Sequence, residues 1–258
     1  MMLALVVQAL ILFTSPATTT LGVQLRAKTL AVLNFDNNTG SADYDPLGRG
    51  LAAMMISDLA ASPALKLVER EHLADVLKEQ HLQQSAMFDS TTAVKTGRLL
   101  GAEFVATGAL TAAVPELRID MRVIRVETGE IVKTARVTGP EDKLFQLEEQ
   151  LAERVLKDLD IALSPENAEL MRKRQEANRE MGVRAFHDFS SGLAAMDAGE
   201  YLTAAEHFRP LIMRAPRSLL VELAYGEAKR RAALAAKESA KKKAADALKG
   251  WFKKPGSS

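Results

Sequence analysis

Cysteine is absent from all 258 residues, which excludes disulfides, thiol nucleophiles and zinc sites built on thiolates. The four histidines, His72, His81, His187 and His207, never stand four apart, and none sits beside a second ligand in a metal-binding pattern. His207 reads as a packing or surface residue. Serines occur without the GxSxG elbow that a hydrolase nucleophile needs at its strand-to-helix turn. Glu69, Glu71 and Asp75 gather at the end of a predicted strand and the start of the next helix, where negative charge stabilises a helix N-terminus without any chemistry. No catalytic residue, metal site or cofactor site is therefore assigned. A run long enough to span a membrane is missing too: MMLALVVQALILF at residues 1–13 is apolar apart from Gln8 and falls short of the roughly 20 residues a spanning helix requires.

That run has the length of a signal-peptide core, and Ser15 and Ala17 offer the small residues of a cleavage site after Ala17, although no Lys or Arg precedes it. Residues 1–17 are expected to be a signal peptide, with export to the periplasm. The plainer reading is an N-terminal helix packed on the domain. Hydrophobic residues make up 47% of the chain, enough for a sizeable core in one or two domains. Net charge is +1, but its distribution is uneven. Residues 28–163 carry 15 basic against 21 acidic side chains, whereas residues 227–258 carry 10 basic against 3 acidic. A basic tail of this kind can touch anionic lipid, nucleic acid or an acidic partner, but the commoner outcome is a solvated helix or a disordered end.

The first half reads as alternating strands and helices. KTLAVLNF, from Lys28 to Phe35, is a β-rich run closed by the polar loop DNNTGSADYD. Asp45 and Pro46 supply a helix start, and Leu47, Leu51, Met55 and Leu59 recur at four-residue spacing until Ser62-Pro63. LKLVE at 65–69 is a second strand, followed by a helix to about Gln84 with Leu73, Val76 and Leu77 inward. A helix near 91–100, capped by Asp89 or Ser90 and stopped by Gly101, precedes strands near 103–112, 117–126 and 130–138. The last two are joined by the turn Glu127-Thr128-Gly129-Glu130, and the alternation of Leu117, Ile119, Met121 and Val123 with Arg118, Asp120 and Arg122 predicts one wet face. The phase slips at Ile124, which predicts a bulge. After Gly139-Pro140, Leu144, Leu147, Leu151, Val155 and Leu159 form the stripe of a helix that covers the dry face. Residues 28–163 are thus expected to form an α/β domain, a mixed sheet with packed helices.

Ser164-Pro165 marks the expected boundary to an all-α domain at 165–226. Within it GLAAMDAGEYLTAAEHFRPLIMRAP at 192–216 matches one tetratricopeptide unit, a repeat of about 34 residues, placed at about 185–216. Gly192, Ala198, Ala204 and Ala205 are the small residues where the two helices touch, Tyr201 and Phe208 fill the remaining space, Gly199 makes the turn and Pro216 ends the second helix. Such a hairpin cannot bury its apolar face alone, so it calls for a stacked neighbour or a partner. Candidate protein-binding residues on its concave side are Phe189, Leu193, Tyr201 and Phe208; in a lone repeat they can equally be core, the preferred role for Phe208 and Tyr201. An Ala-rich helix continues from Leu219 and turns into a basic tail at 227–258, ending WFKKPGSS, read as an aromatic cap or an interfacial membrane contact.

GRGLAAM, with Gly48, Gly50 and Ala53, superficially fits a dinucleotide loop, and Glu69 follows at about the right interval. The glycines of that loop follow their strand almost immediately, whereas here a long loop rich in Asp36, Asp43 and Asp45 intervenes. The better account is that Gly48 and Ala52 let a helix lie close on a strand.

The order of Phe35-Asp36-Asn37, Leu47-Gly48-Arg49-Gly50-Leu51, Val68-Glu69-Arg70 and the stretch from Gly97 through Gly108 resembles the CsgG family of bacterial envelope proteins, over about Lys28 to Leu159. Known members include the curli secretion channel and relatives tied to flagellar or outer-membrane assembly. The resemblance implies a periplasm-facing, non-enzymatic role with envelope or secreted proteins as partners, and it permits a homo-oligomer. Channel members carry a cysteine after the signal for acylation, and this chain has none. They also insert membrane hairpins, for which the links 84–91 and 112–117 are too short, since each crossing strand needs about 9–11 residues. A secretion pore is therefore not expected. The expected function is a non-enzymatic envelope assembly or secretion-associated binding protein that takes no nucleic acid; the alternatives are a nucleotide-binding enzyme using Gly48 and Gly50, and a ring-forming outer-membrane secretion subunit.

Overall fold

The computed structural model of the protein describes residues 26–79, 89–112 and 116–252. The expected leader with its cleavage site, the end of the helix expected to reach Gln84, the link that follows it and the last residues of the tail lie outside the described residues.

Strand β1 (Lys28–Val32) is an interior strand, with Leu30 and Val32 facing one apolar cluster and Ala31, with Leu33 just after the strand, the other. A strand buried on both faces is the pattern of a parallel sheet. Strand β2 (Asp36–Asn37), helix α1 (Leu47–Leu59), strand β3 (Leu65–Leu67), helices α2 (Arg70–Glu79) and α3 (Ser90–Leu99), and strands β4 (Phe104–Ala112), β5 (Leu117–Arg125) and β6 (Ile131–Gly139) follow in order. The sheet runs β3-β1-β4-β5-β6, with β2 beside β4. Pairings among β1, β2, β3 and β4 are parallel, and β4 to β6 form an antiparallel meander. Because β1 lies between β3 and β4, the two crossovers leave on opposite faces: α1 covers one, α2 and α3 the other.

Local signals set most boundaries. Asp89 caps α3 by accepting from Thr92 N–H at 2.8 Å, and Gly101 stops it with φ at +63°. Gly129, at φ +72°, closes the β5–β6 turn, where Gly129 N–H donates to the Arg125 carbonyl at 2.8 Å. The register of β5 against β6 shifts between Val123 and Ile124, so the bulge lies where the alternation slipped. One local expectation differs: the residue flanking α1 is Pro46 and its side chain makes no cap. Asp45 instead accepts from Asn37 Nδ2 at 2.6 Å, which folds the polar loop onto β2.

Helix α4 (Leu144–Asp158) lays Leu144, Leu147, Leu151 and Val155 on the dry face of β5 and β6. The rest is helical: α5 (Pro165–Arg179), α6 (Gly182–Ala198), α7 (Tyr201–Arg214) and α8 (Leu219–Phe252). Ser164 caps α5 by accepting from Asn167 N–H at 3.2 Å, with Pro165 in the first turn. Helices α5 and α6 pack on α1, α7 on α6, and α8 on α7. A single apolar cluster runs from Leu30 and Phe104 in the sheet through Met54 and Leu151 to Phe186, Phe208 and Val221. Ser164 is thus a cap in the chain, and the core is continuous across it.

Candidate functional site

The expected docking residues sit on α6 and α7, whose geometry follows from two glycines. Gly199, at φ +80°, ends α6 in the left-handed conformation and donates to the Ala195 and Met196 carbonyls. Gly192 faces the ring of Phe208, which a Cβ there would meet at 2.5 Å. Ala204 is fully buried between the helices, while Ala198 is exposed at the end of α6 rather than in the contact.

The aromatic side chains form a buried chain across the molecule. Ring centroids are 5.6 Å apart for Phe145 and Phe186, 6.2 Å for Phe186 and Phe189, and 5.5 Å for Phe189 and Phe208. Phe189 and Phe208 have no exposed surface, and Leu193 is 5% exposed. Tyr201 is half-buried under the Arg231 guanidinium, 5.9 Å from its ring centroid. This corrects the expectation of an open concave face at Phe189 and Leu193, whereas Phe208, for which core was the preferred reading, is buried and Tyr201 half-buried: α1 packs on α6 and α8 on α7 of the same chain.

Polar ties reinforce that contact. Asp197 on α6, its side chain only 6% exposed, accepts from Arg49 Nε at 2.9 Å and from Arg70 Nη2 at 2.6 Å. Arg70 also donates to the Leu193 carbonyl at 3.2 Å. A carboxylate shared by two guanidiniums, one of them nearly buried, is far costlier to break than a surface pair. On another edge, Glu141 accepts from Tyr44 Oη at 3.3 Å and lies 3.4 Å from His187 Nε2. Burial, then the Glu141 carboxylate, holds the Tyr44 phenol above its ordinary pKa. Arg49 and Arg70 lay within the motifs of the family resemblance, but their shared partner is more than 120 residues away along the chain, and no local spacing points to it.

Gly48 and Gly50 are likewise occupied by packing. A Cβ on Gly48 would lie 1.8 Å from the Phe35 carbonyl oxygen, and one on Gly50 would lie 2.1 Å from Ser190 Oγ and 2.5 Å from the Phe186 ring. In open α/β sheets, ligands sit beyond the carboxyl ends of the strands at the point where the crossovers diverge. Here that position is filled by β2 and the α1 start: Phe35 N–H donates to the Gly48 carbonyl at 3.1 Å. Glu69 is exposed. The wet face of the sheet carries a surface network in which Asp120 accepts from Arg136 at 2.7 Å, Arg118 at 3.0 Å and Thr111 at 2.8 Å. Partial burial opposes ionisation of Asp120, yet the donors, Arg136 foremost, outweigh it and hold its carboxyl below the usual range. Among the described residues, no group of three or more His, Asp or Glu side chains could hold a metal ion, and no helix is long and apolar enough to cross a membrane.

Apolar side chains in solvent occur instead on the outer surfaces of α7 and α8. Leu202 is 73% exposed, Met213 85% and Leu223 62%, with Leu219 also exposed. Leu202 and Met213 stand eleven positions apart, three helical turns, on one side of α7. Sequence reasoning passed over them because it looked for large residues facing into the hairpin.

The model of the CsgG family, described as curli production assembly/transport component CsgG, matches residues 19–114. No curated protein matches the chain. Solved structures similar to part of it include the LpoB C-terminal domain from Salmonella enterica, 18% identical, with 46% of this chain and 87% of that one covered at a TM-score of 0.38. Lipoprotein GNA1162 from Neisseria meningitidis is 13% identical, with coverages of 53% and 99% and a TM-score of 0.39. The PelC dodecamer from Paraburkholderia phytofirmans is 19% identical, with coverages of 54% and 91% and a TM-score of 0.35.

Proposed function

We propose that this chain is a non-enzymatic, exported protein that binds envelope or secreted proteins during assembly or secretion at the cell envelope. The match of residues 19–114 to the CsgG family carries the reading. It is supported by the packing at Gly48 and Gly50, where an added Cβ would meet Phe35, Ser190 and Phe186, so that the glycines serve close helix packing. In this reading the α6–α7 hairpin serves as a tetratricopeptide-like element whose inner face is used internally. The partner meets the outer surfaces of α7 and α8, where Leu202, Met213 and Leu223 offer apolar area.

The test uses substitutions on that surface rather than deletion of the helices, because removing α6 or α7 would open the core. Leu202→Ser combined with Met213→Ser leaves the unfolding midpoint near that of wild type, since both side chains are mostly in solvent. Recovery of the envelope partner after crosslinking is expected to fall about tenfold, the effect of losing roughly 1.4 kcal/mol of binding. Full recovery by the doubly substituted protein rules this surface out.

A further inference from the structure

Asp58 on α1 and Glu148 on α4 are 1% and 2% exposed, respectively, and no other buried carboxyls lie so deep without a cationic partner among the described residues. Both oxygens of Asp58 and Oε1 of Glu148 accept no hydrogen bond. The two carboxyls are neighbours, and the Gln175 amide of α5, 8% exposed, reaches toward Asp58 without a well-formed hydrogen bond; it favours the ionised form of Asp58, and burial outweighs it. The other charged groups around them are accounted for. Arg174 of α5 donates to the Ser57 carbonyl at 2.7 Å, and Glu149 of α4 is paired with Arg179 of α5 at 2.8 Å. Asp58 also lies in the last turn of α1, where the helix dipole disfavours an anion.

Two carboxylates in one dry site cannot both be charged without large cost, but a carboxylic acid beside a carboxylate satisfies both with one shared proton. We propose that Asp58 and Glu148 form a proton-sharing latch at the junction of α1, α4 and α5, which holds α5 against the α/β unit in acid and loosens it in base. Burial raises the Asp58 carboxyl to about 7, and burial together with Asp58 raises that of Glu148 as well. The two protons belong to the pair.

An acid whose folded pKa exceeds its unfolded value binds its proton more tightly when folded, so its stabilisation is complete below the unfolded pKa and is lost as pH rises through the folded one. Asp58 moves from 3.8 to about 7, which raises the unfolding constant about thirty-fold between about pH 5.5 and about pH 8.5.

Urea unfolding of the full chain across that range, with hydrogen exchange corrected for intrinsic rates, tests the proposal. Wild type is expected to lose stability toward high pH, and the amides of α5 to lose protection before those of β4 to β6. Asp58→Asn with Glu148→Gln is expected to abolish the drop. Should that variant fail to fold, carboxyl carbon shifts of the wild-type protein read the titration directly. Ordinary carboxylate titration of both groups, a drop that survives the double substitution, or equal loss of protection in α5 and the sheet each overturns the latch.

Discussion

Ten of the thirteen residues of α1 are buried, whereas every side chain of α8 from Ala233 to Asp246 lies in solvent. Both helices use alanine, for opposite reasons. In α1, Ala52 and Ala53, with Gly48 and Gly50, are small because the sheet lies on one side and α6 on the other. A helix apolar all round is one enclosed on all sides. From Ala233 to Asp246 the alanines of α8 lie in solvent, and with the interspersed lysines they hold the helix through intrinsic propensity. Residue size in the first answers to neighbours, and residue type in the second to the backbone.

The largest loss of stability is expected where α6 and α7 complete the surroundings of α1. Phe208→Ala removes a ring with no exposed surface, and the expected loss is about 3–5 kcal/mol, read as a lower urea midpoint. Gly48→Ala should cost about 1–3 kcal/mol, because its new methyl meets the backbone oxygen of Phe35 rather than a flexible side chain; differential scanning calorimetry reads the shift. Ala240→Gly in the exposed part of α8 should cost about 1 kcal/mol of local helix stability. It should appear in circular dichroism as lost helix, with the unfolding of the core unchanged. An equal effect of Ala240→Gly on the core midpoint would show that α8 is not independent of it.

Much of the α/β unit was legible. The alternation in β5, its slip at Ile124, the cap at Asp89 and the four-residue stripe of α4 are local signals that hydrogen bonding within a few residues enforces. The burial of the candidate docking residues was legible only in part, with core preferred for Phe208 and Tyr201 but not for Phe189 and Leu193. Phe189, Leu193 and Phe208 carry the right sizes for an open groove or a closed core, and periodicity treats the two alike. A hint lay in α1, where Ala52, Ala53 and Met54 fall off the expected stripe yet are buried; a helix that must cover only a sheet has no need of them. The tie of Asp197 to Arg49 and Arg70 and the meeting of Asp58 with Glu148 had no sequence signal, because each joins residues far apart along the chain.

Caps, turns and apolar periods act over a few residues and need no knowledge of the rest, so the order of the helices and longer strands was readable from the chain, whereas β2, read as part of a polar loop, exists only through its pairing with β4. The tertiary structure decided which faces stay free. The inner side of the α6–α7 hairpin is buried by α1 of the same chain, so the apolar area left exposed lies outside, on α7 and α8.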